Sequence, residues 1–129
     1  MTAGRARHNG IARWAPVVAW AAVIFLMSSR PGSTLPGGFS VGGHVTEYFI
    51  FGVLLFRAFR CRHAASTALA LALVVGSVYG ITDEFHQNFV AMRTPDVTDW
   101  GLDTVGTFAG AVAAHFAMEW RARRAERTP

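Results

Sequence analysis

The sequence contains no lysine, a single cysteine and few charged residues of either sign. Charged side chains make up 16% of the 129 residues, well below the ~25% typical of soluble domains. The lone Cys61 excludes an internal disulfide and argues against a cysteine metal site. About half of the chain is apolar, and its length suits one compact unit. The low content of charged residues and the high content of apolar residues are typical of a small membrane protein.

Four apolar segments are long enough, or nearly so, for membrane-spanning helices, which need roughly 20 residues. They are residues 11–29, 41–59, 64–81 and 97–118. Apolar residues do not alternate in these runs, and unpaired backbone groups are costly in lipid, so helices are favoured over strands. The stretch SSRPGSTLPGGFSVGG between the first two segments is predicted to be a loop. The sequence thus predicts an all-α, four-helix transmembrane bundle over residues 14–118, between a basic flank (1–13) and an Arg-rich tail (119–129).

The arginines predict how this bundle is oriented. Ten of the twelve precede the first segment, crowd the connection between the second and third, or follow the fourth. Cytoplasmic flanks collect arginine and lysine, so both termini are predicted to be cytoplasmic in a multi-pass protein of the inner membrane. The net charge of +4 then reflects flanks beside anionic lipid, and no nucleic-acid partner is expected. A cleaved signal peptide is the alternative for the first segment, but Met27 fits a cleavage site poorly.

Polar groups gather near the opposite membrane face in this topology. Six of the eight acids fall there: Glu47, Asp83, Glu84, Asp96, Asp99 and Asp103. They are joined by His44, His86, Gln87, Asn88 and Arg93. Charged groups within a membrane usually face the bundle interior or a wet cavity. We therefore expect an outward-facing polar pocket.

Helical spacing places these groups on three faces. The faces are His44–Glu47–Tyr48 on the second segment, Tyr79–Asp83–His86 on the third if it stays helical through DEFHQ, and Asp99–Asp103–Gly106–Gly110 on the fourth. Gly106 and Gly110 form a small-xxx-small pattern, which lets a neighbouring helix approach closely. The stripe that packs inward is therefore expected to carry two carboxylates.

Individual roles follow from this arrangement. Glu84 and His86 are candidate catalytic residues, since a desolvated carboxylate and an imidazole can relay a proton; the alternative is that both bind water among the headgroups. The candidate ligand-binding residues are His44, Glu47, Tyr48, Asp83, Gln87, Arg93, Asp99 and Asp103. Arg93 suits a phosphate or carboxylate, or else a salt bridge to Asp96 or Asp99. Asp96, after the Thr94–Pro95 pair, is predicted to be an N-cap.

A metal site was weighed and not predicted. His44, Glu47, His86 and a carboxylate could bind a divalent metal, because His-x-x-Glu puts both ligands on one helical face. Helical spacing alone often produces such pairs, however, and no sulfur ligand supports the site. The sequence therefore predicts neither a metal nor a cofactor.

Four motifs in order resemble the VanZ-like family of small membrane proteins. They are SSRPG with LP, HVTEYFIFGVLL, YGITDEFHQ and RTPDVTDWGLDTVGTFAG, which together cover Ser28 to Gly110. The family's namesake is associated with resistance to the glycopeptide antibiotic teicoplanin. Two departures stand out: family members often carry a lysine just before the position of His44, and they usually have asparagine at the position of Asp103. Asp103 is then an extra membrane acid, protonated or paired with Arg93.

The resemblance implies a membrane protein that modulates the sensitivity of the bacterial cell envelope to glycopeptide antibiotics. A membrane-embedded hydrolase or transferase acting on a lipid-linked or phosphate-bearing envelope substrate is a second possibility. A non-catalytic partner subunit, forming a homo- or hetero-oligomer through the fourth helix, is a third. Whether the chain is an enzyme is left open. The expected partners are the lipid bilayer and a glycopeptide or lipid-linked envelope ligand.

Overall fold

The computed structural model describes residues 3–31 and 39–127, which fold into four α-helices. Helix α1 spans Ala3–Ser28, α2 spans Phe39–Arg60, α3 spans Ala65–Gln87 and α4 spans Val97–Glu126. The described residues contain no β-strand. The predicted all-α class is therefore confirmed over this part of the chain.

Helices α1, α3 and α4 extend well beyond the apolar segments that predicted them. Helix α1 begins at Ala3, within the basic flank, and α4 continues to Glu126 through the Arg-rich tail. Alanine and arginine, which are frequent in both flanks, are strong helix formers, so the helices continue past the apolar pattern. Helix α3 runs through DEFHQ to Gln87, and its expected continuation is confirmed.

The predicted loop between the first two helices is shorter than its composition suggested. Helix α1 ends at Ser28 and α2 already begins at Phe39, so the SVGG stretch is helical. Residues 32–38 of the predicted loop lie outside the described residues. Adding a residue to an existing helix costs far less than nucleating one, so the long apolar run after Gly43 extends its helix backwards through the two glycines.

Contacts at both ends show that consecutive helices run in opposite directions. The Trp14 and Phe59 rings, 5.1 Å apart between centroids, join the beginning of α1 to the end of α2. The Phe56 and His115 rings, 5.9 Å apart, place the later half of α4 at this same end. Both described ends of the chain therefore lie at one end of the structure, as an up-and-down order of four helices requires.

Helix α3 follows the direction of α1. The Tyr79 hydroxyl donates to the carbonyl of Ala21 at 2.6 Å. Further along both helices, the Ser29 Oγ, just after the end of α1, lies 2.9 Å from the His86 Nε2. The Trp20 indole N–H donates to the Glu47 carbonyl at 2.9 Å and links α1 to α2. The ends of α1 and α3 and the beginnings of α2 and α4 thus meet at the end opposite the chain termini.

Two helical segments are long and apolar enough to cross a membrane, namely Gly10–Ser28 in α1 and Ala65–Gln87 in α3. Polar and charged groups along α2 and α4 lower their hydropathy. Large apolar side chains nevertheless face outward on α4 as well, including Val105 and Phe116, which are 61% and 64% exposed. Such outward apolar faces match what lipid-exposed helices present.

The closest packing in the structure joins α2 to α4. A Cβ added to Gly106 would lie 2.7 Å from the Val45 carbonyl oxygen, and one added to Gly110 would overlap the Phe49 carbonyl. On the other helix, a Cβ at Gly52 would overlap the Thr107 carbonyl. Backbones that approach this closely tolerate no side chain at the contact. Because Asp103 lies only three residues before Gly106, its distance from α2 is fixed by this contact.

Candidate functional site

A buried histidine–aspartate pair lies at the end of the structure opposite the chain termini. His44 on α2 and Asp103 on α4 meet with their Nδ1 and Oδ1 atoms 2.9 Å apart, and Asp103 is 0% exposed. The Asp99 Oδ2 lies 3.7 Å from the Nε2 of the same imidazole. Asp99 and Asp103 are four residues apart, so one face of α4 presents both carboxylates to one ring.

Helix α3 adds a second group of polar side chains to this end. The Gln87 amide donates to the Asp83 Oδ2 at 3.2 Å and to the Glu84 Oε1 at 3.3 Å, and all three side chains are buried. The Arg93 guanidinium donates in turn to the Gln87 Oε1 at 3.2 Å. Gln87 therefore links Arg93, which lies between α3 and α4, to two carboxylates.

The connection between α3 and α4 is tied back onto Glu84. The backbone N–H of Asp96 donates to the Glu84 Oε2 at 2.8 Å, while the Asp96 side chain accepts from the Thr98 N–H at 2.8 Å and caps α4. The predicted N-cap is confirmed. The bonds from Thr98 hold the pKa of the Asp96 carboxyl below its usual value. The cap fixes where α4 begins, and with it the position of Asp99 in its first turn.

Several buried polar atoms at this end have no hydrogen-bond partner among the described residues. They are the Tyr48 hydroxyl, Asp83 Oδ1, Arg93 Nε and Asp103 Oδ2. A buried polar group left without a partner costs roughly 1–3 kcal/mol. Four such atoms close together are a feature that functional polar sites show and that packing alone does not explain.

The family model described as VanZ/LLP1 matches residues 13–118. The chain belongs to the VanZ/LLP1 family. The match includes all of α2 and α3, most of α1 and α4, and every residue of the polar end described above. Together with the two helices suited to cross a membrane, membership identifies the chain as a membrane protein. No curated protein and no solved structure matches the chain.

The two candidate catalytic residues of this VanZ/LLP1 protein face different helices. Glu84 bonds the beginning of α4 through the Asp96 N–H. His86 instead faces α1, where it contacts Ser29 and stacks on the Phe25 ring at 4.3 Å between centroids. Residues two apart on a helix point in different directions, so the structure does not bring Glu84 and His86 together as a pair.

Glu47 and Tyr48, next to each other on α2, differ in how deeply they are buried. Tyr48 is fully buried and its ring lies 6.4 Å from that of Tyr79. Glu47 is half-buried, and its backbone carbonyl accepts from Trp20 of α1.

The partner of Asp103 is His44 rather than Arg93, which corrects the pairing considered from the sequence. The reason is the close contact between α4 and α2: the glycine pattern predicts a close neighbour for this face of α4 but not which helix that neighbour is.

A cavity of about 220 Å³ opens beside Glu84. It is lined by Ile81, Glu84, Pro95, Asp96, Val97 and Trp100. Sequence reasoning missed Trp100, whose indole N–H donates to Ser77 Oγ at 3.1 Å and braces α4 against α3. Its position next to Asp99, in the first turn of α4, is the sequence feature that could have identified it. The cavity therefore borders Glu84 and the beginning of α4.

The predicted glycine stripe of α4 packs against a helix of the same chain. Gly106 and Gly110 pack against Val45, Tyr48 and Phe49 of α2. The face that carries them is therefore covered by the protein's own helix. Contacts with another chain through α4 would have to use its other, outward face.

Proposed function

We propose that the chain spans the bacterial cytoplasmic membrane four times, with both termini in the cytoplasm, and presents an outward-facing polar pocket that binds a cell-envelope ligand. The up-and-down order of the helices supports the topology, because it brings the beginning of α1 and the ends of α2 and α4 together. Arg13 and Arg57 line one cavity of about 380 Å³ at that end with Met118. Arginine-rich ends stay cytoplasmic.

The observation that carries the proposal is the buried pair of His44 and Asp103 at the end opposite these arginines. An ionisable pair within membrane-spanning helices is costly unless it faces the bundle interior or a water-filled cavity. Here it lies beside Glu84, Gln87 and Arg93, which offer both donors and acceptors. A ligand reaching this end from outside would meet the Arg93 guanidinium and several carboxylates, a suitable surface for a peptide-like molecule with amide and amine groups.

Family membership supports glycopeptide sensitivity as the role of the pocket. The proposal is that the protein lowers envelope sensitivity to teicoplanin-type antibiotics by way of this pocket. The test is expression in a glycopeptide-susceptible bacterium, with the inhibitory concentration of teicoplanin as the readout. The wild type is expected to raise that concentration, and His44→Gln, Glu84→Gln and Arg93→Ala are each expected to lose the effect at equal membrane abundance.

The matched control is His115→Gln. His115 also lies on α4, but near its cytoplasmic end, where it contacts Phe56 and Phe116. This variant is expected to keep the wild-type phenotype. A wild type without effect would refute the glycopeptide role, and full resistance in all three pocket variants would refute the pocket.

A second candidate function is a hydrolase or transferase acting on a lipid-linked phosphate. The observation that favours it is the position of Arg93, whose guanidinium has one unpartnered nitrogen and contacts Gln87 beside Glu84. Arginine binds phosphate oxygens well, and the neighbouring cavity could take an acyl or prenyl chain. Glu84→Gln keeps an acceptor for the Asp96 N–H but removes the base. Activity on a lipid-linked phosphate that survives Glu84→Gln would therefore exclude Glu84 as a base.

A further inference from the structure

Three buried side chains from three different helices converge on one point of the pocket. His44 from α2, Glu84 from α3 and Asp103 from α4 each offer one ligand atom, and these atoms all lie within 4.8 Å of one another. All three residues are buried. Metal-ligand bonds of about 2.0–2.2 Å place the donors around a small divalent ion within this range of one another.

The electrostatics of this point favour a cation. Glu84 and Asp103 meet there, Asp99 lies beside the His44 imidazole, and Asp83 shares the Gln87 amide with Glu84. The positive groups beside these carboxylates are the His44 imidazole, when it is protonated, and the Arg93 guanidinium. Buried carboxylates without a compensating charge are strongly destabilising. A divalent ion would supply the charge that the side chains lack.

Asp103 gives independent support for a ligand. It is 0% exposed, yet its Oδ2 has no hydrogen-bond partner among the described residues. That oxygen lies 3.2 Å from where a Cβ of Gly80 would stand, and Gly80 is four residues before Glu84 on the same face of α3. The free oxygen therefore faces the side of α3 that carries Glu84, away from the oxygen that contacts His44.

We propose that His44, Glu84 and Asp103 bind one divalent first-row transition-metal ion. One imidazole with two carboxylates suits Zn²⁺ or Mn²⁺, and the absence of a thiolate among the three disfavours Cu⁺. Two hydrogen bonds orient the Glu84 carboxylate for this role: Gln87 donates to one oxygen and the Asp96 N–H donates to the other. Each oxygen keeps a second lone pair with which it can bind the ion. Asp99 lies next to the trio, with its Oδ2 3.7 Å from the His44 Nε2, but it is not one of the three converging residues.

This inference rests on the proposed pocket only for the route by which the ion enters. It differs from the sequence prediction of no metal, and also from the ligand set weighed there. His86 faces α1 instead, and Glu47 is not among the three converging residues. The three proposed ligands are 40 and 19 residues apart along the chain, so no short motif contains them.

The test measures metal content of the untagged, detergent-purified chain after EDTA treatment and re-addition of Zn²⁺, Mn²⁺ or Mg²⁺. Elemental analysis should find one Zn²⁺ or Mn²⁺ per chain, and the midpoint of thermal unfolding should rise with the ion. Glu84→Gln and Asp103→Asn should each weaken binding by roughly tenfold or more, since even outer-shell changes commonly cost that much. Glu126→Gln, which changes an exposed carboxylate at the opposite end of α4, should bind like the wild type.

Mn²⁺ electron paramagnetic resonance adds a readout that does not depend on stability, because loss of a nitrogen ligand in His44→Gln changes the spectrum of bound Mn²⁺. A wild type that takes up neither Zn²⁺ nor Mn²⁺, or binds only Mg²⁺, overturns the proposal. So does unchanged binding in both carboxylate variants. Metal binding without any teicoplanin phenotype would instead overturn the proposed glycopeptide role and leave the metal site standing.

Discussion

Asp103 lies against His44 across 59 residues of sequence, with 2.9 Å between carboxylate oxygen and imidazole nitrogen. The contact exists because Gly106 and Gly110 let α4 approach the backbone of α2 next to it. One structural element, the glycine stripe, therefore both packs two helices and places a buried ionisable pair. A side chain added at this stripe should therefore change both the packing of α4 on α2 and the position of the pair.

Truncating the aspartate should destabilise the fold more than neutralising it. Asp103→Ala leaves the buried imidazole without its partner, and removing one member of a buried ion pair typically costs about 3–5 kcal/mol. Asp103→Asn keeps an oxygen that can accept from His44, so the expected loss is about 1 kcal/mol. Denaturant-induced unfolding of the detergent-solubilised protein measures both. Equal losses for the two variants would contradict the direct contact.

The glycine contact predicts a second pair of stabilities. Gly110→Ala places a methyl group on the Phe49 carbonyl and should cost about 1–3 kcal/mol of the free energy of unfolding, as overpacking does. Gly101→Ala is the matched control on the same helix, because a Cβ there has nothing within 4 Å and alanine favours a helix. The control should be neutral or stabilising in the same unfolding assay. A Gly110→Ala protein as stable as the control would show that α2 and α4 do not touch there.

The sequence predicted the helices well, because their apolar runs are long and arginines cluster on their flanks. It also predicted Asp96 as a cap, since N-cap chemistry is local. It did not predict which polar residues meet. Spacing along one helix says nothing about which neighbouring helix each face meets. It therefore indicates neither the contact of Asp103 with His44 nor the separation of Glu84 from His86.

The cap of α4 should respond to acid in a defined direction. The pKa of the Asp96 carboxyl lies below its ordinary value of 3.8 in the fold, because the Thr98 N–H and hydroxyl bond its charged form. Its stabilising contribution is therefore complete above pH 3.8 and is lost as pH falls through the lower folded value. Asp96→Asn keeps a capping oxygen without a titrating group. The stability difference between wild type and this variant should favour the wild type at neutral pH and shrink below pH 3.8; a difference that grows on acidification would contradict the assigned bond.

The proposed topology has a test that is independent of the pocket. Alkaline phosphatase is active only outside the cytoplasm, so a fusion after Val90, between α3 and α4, should be active, and one after Arg62, between α2 and α3, should be silent. The physical reason is the sorting of charge: Arg57, Arg60 and Arg62 cluster at the second connection, and arginine-rich connections stay cytoplasmic. Fusion abundance, checked by immunoblot, is the control. The reverse pattern of activity would place His44 and Asp103 at the cytoplasmic face, where an envelope ligand arriving from outside could not reach them.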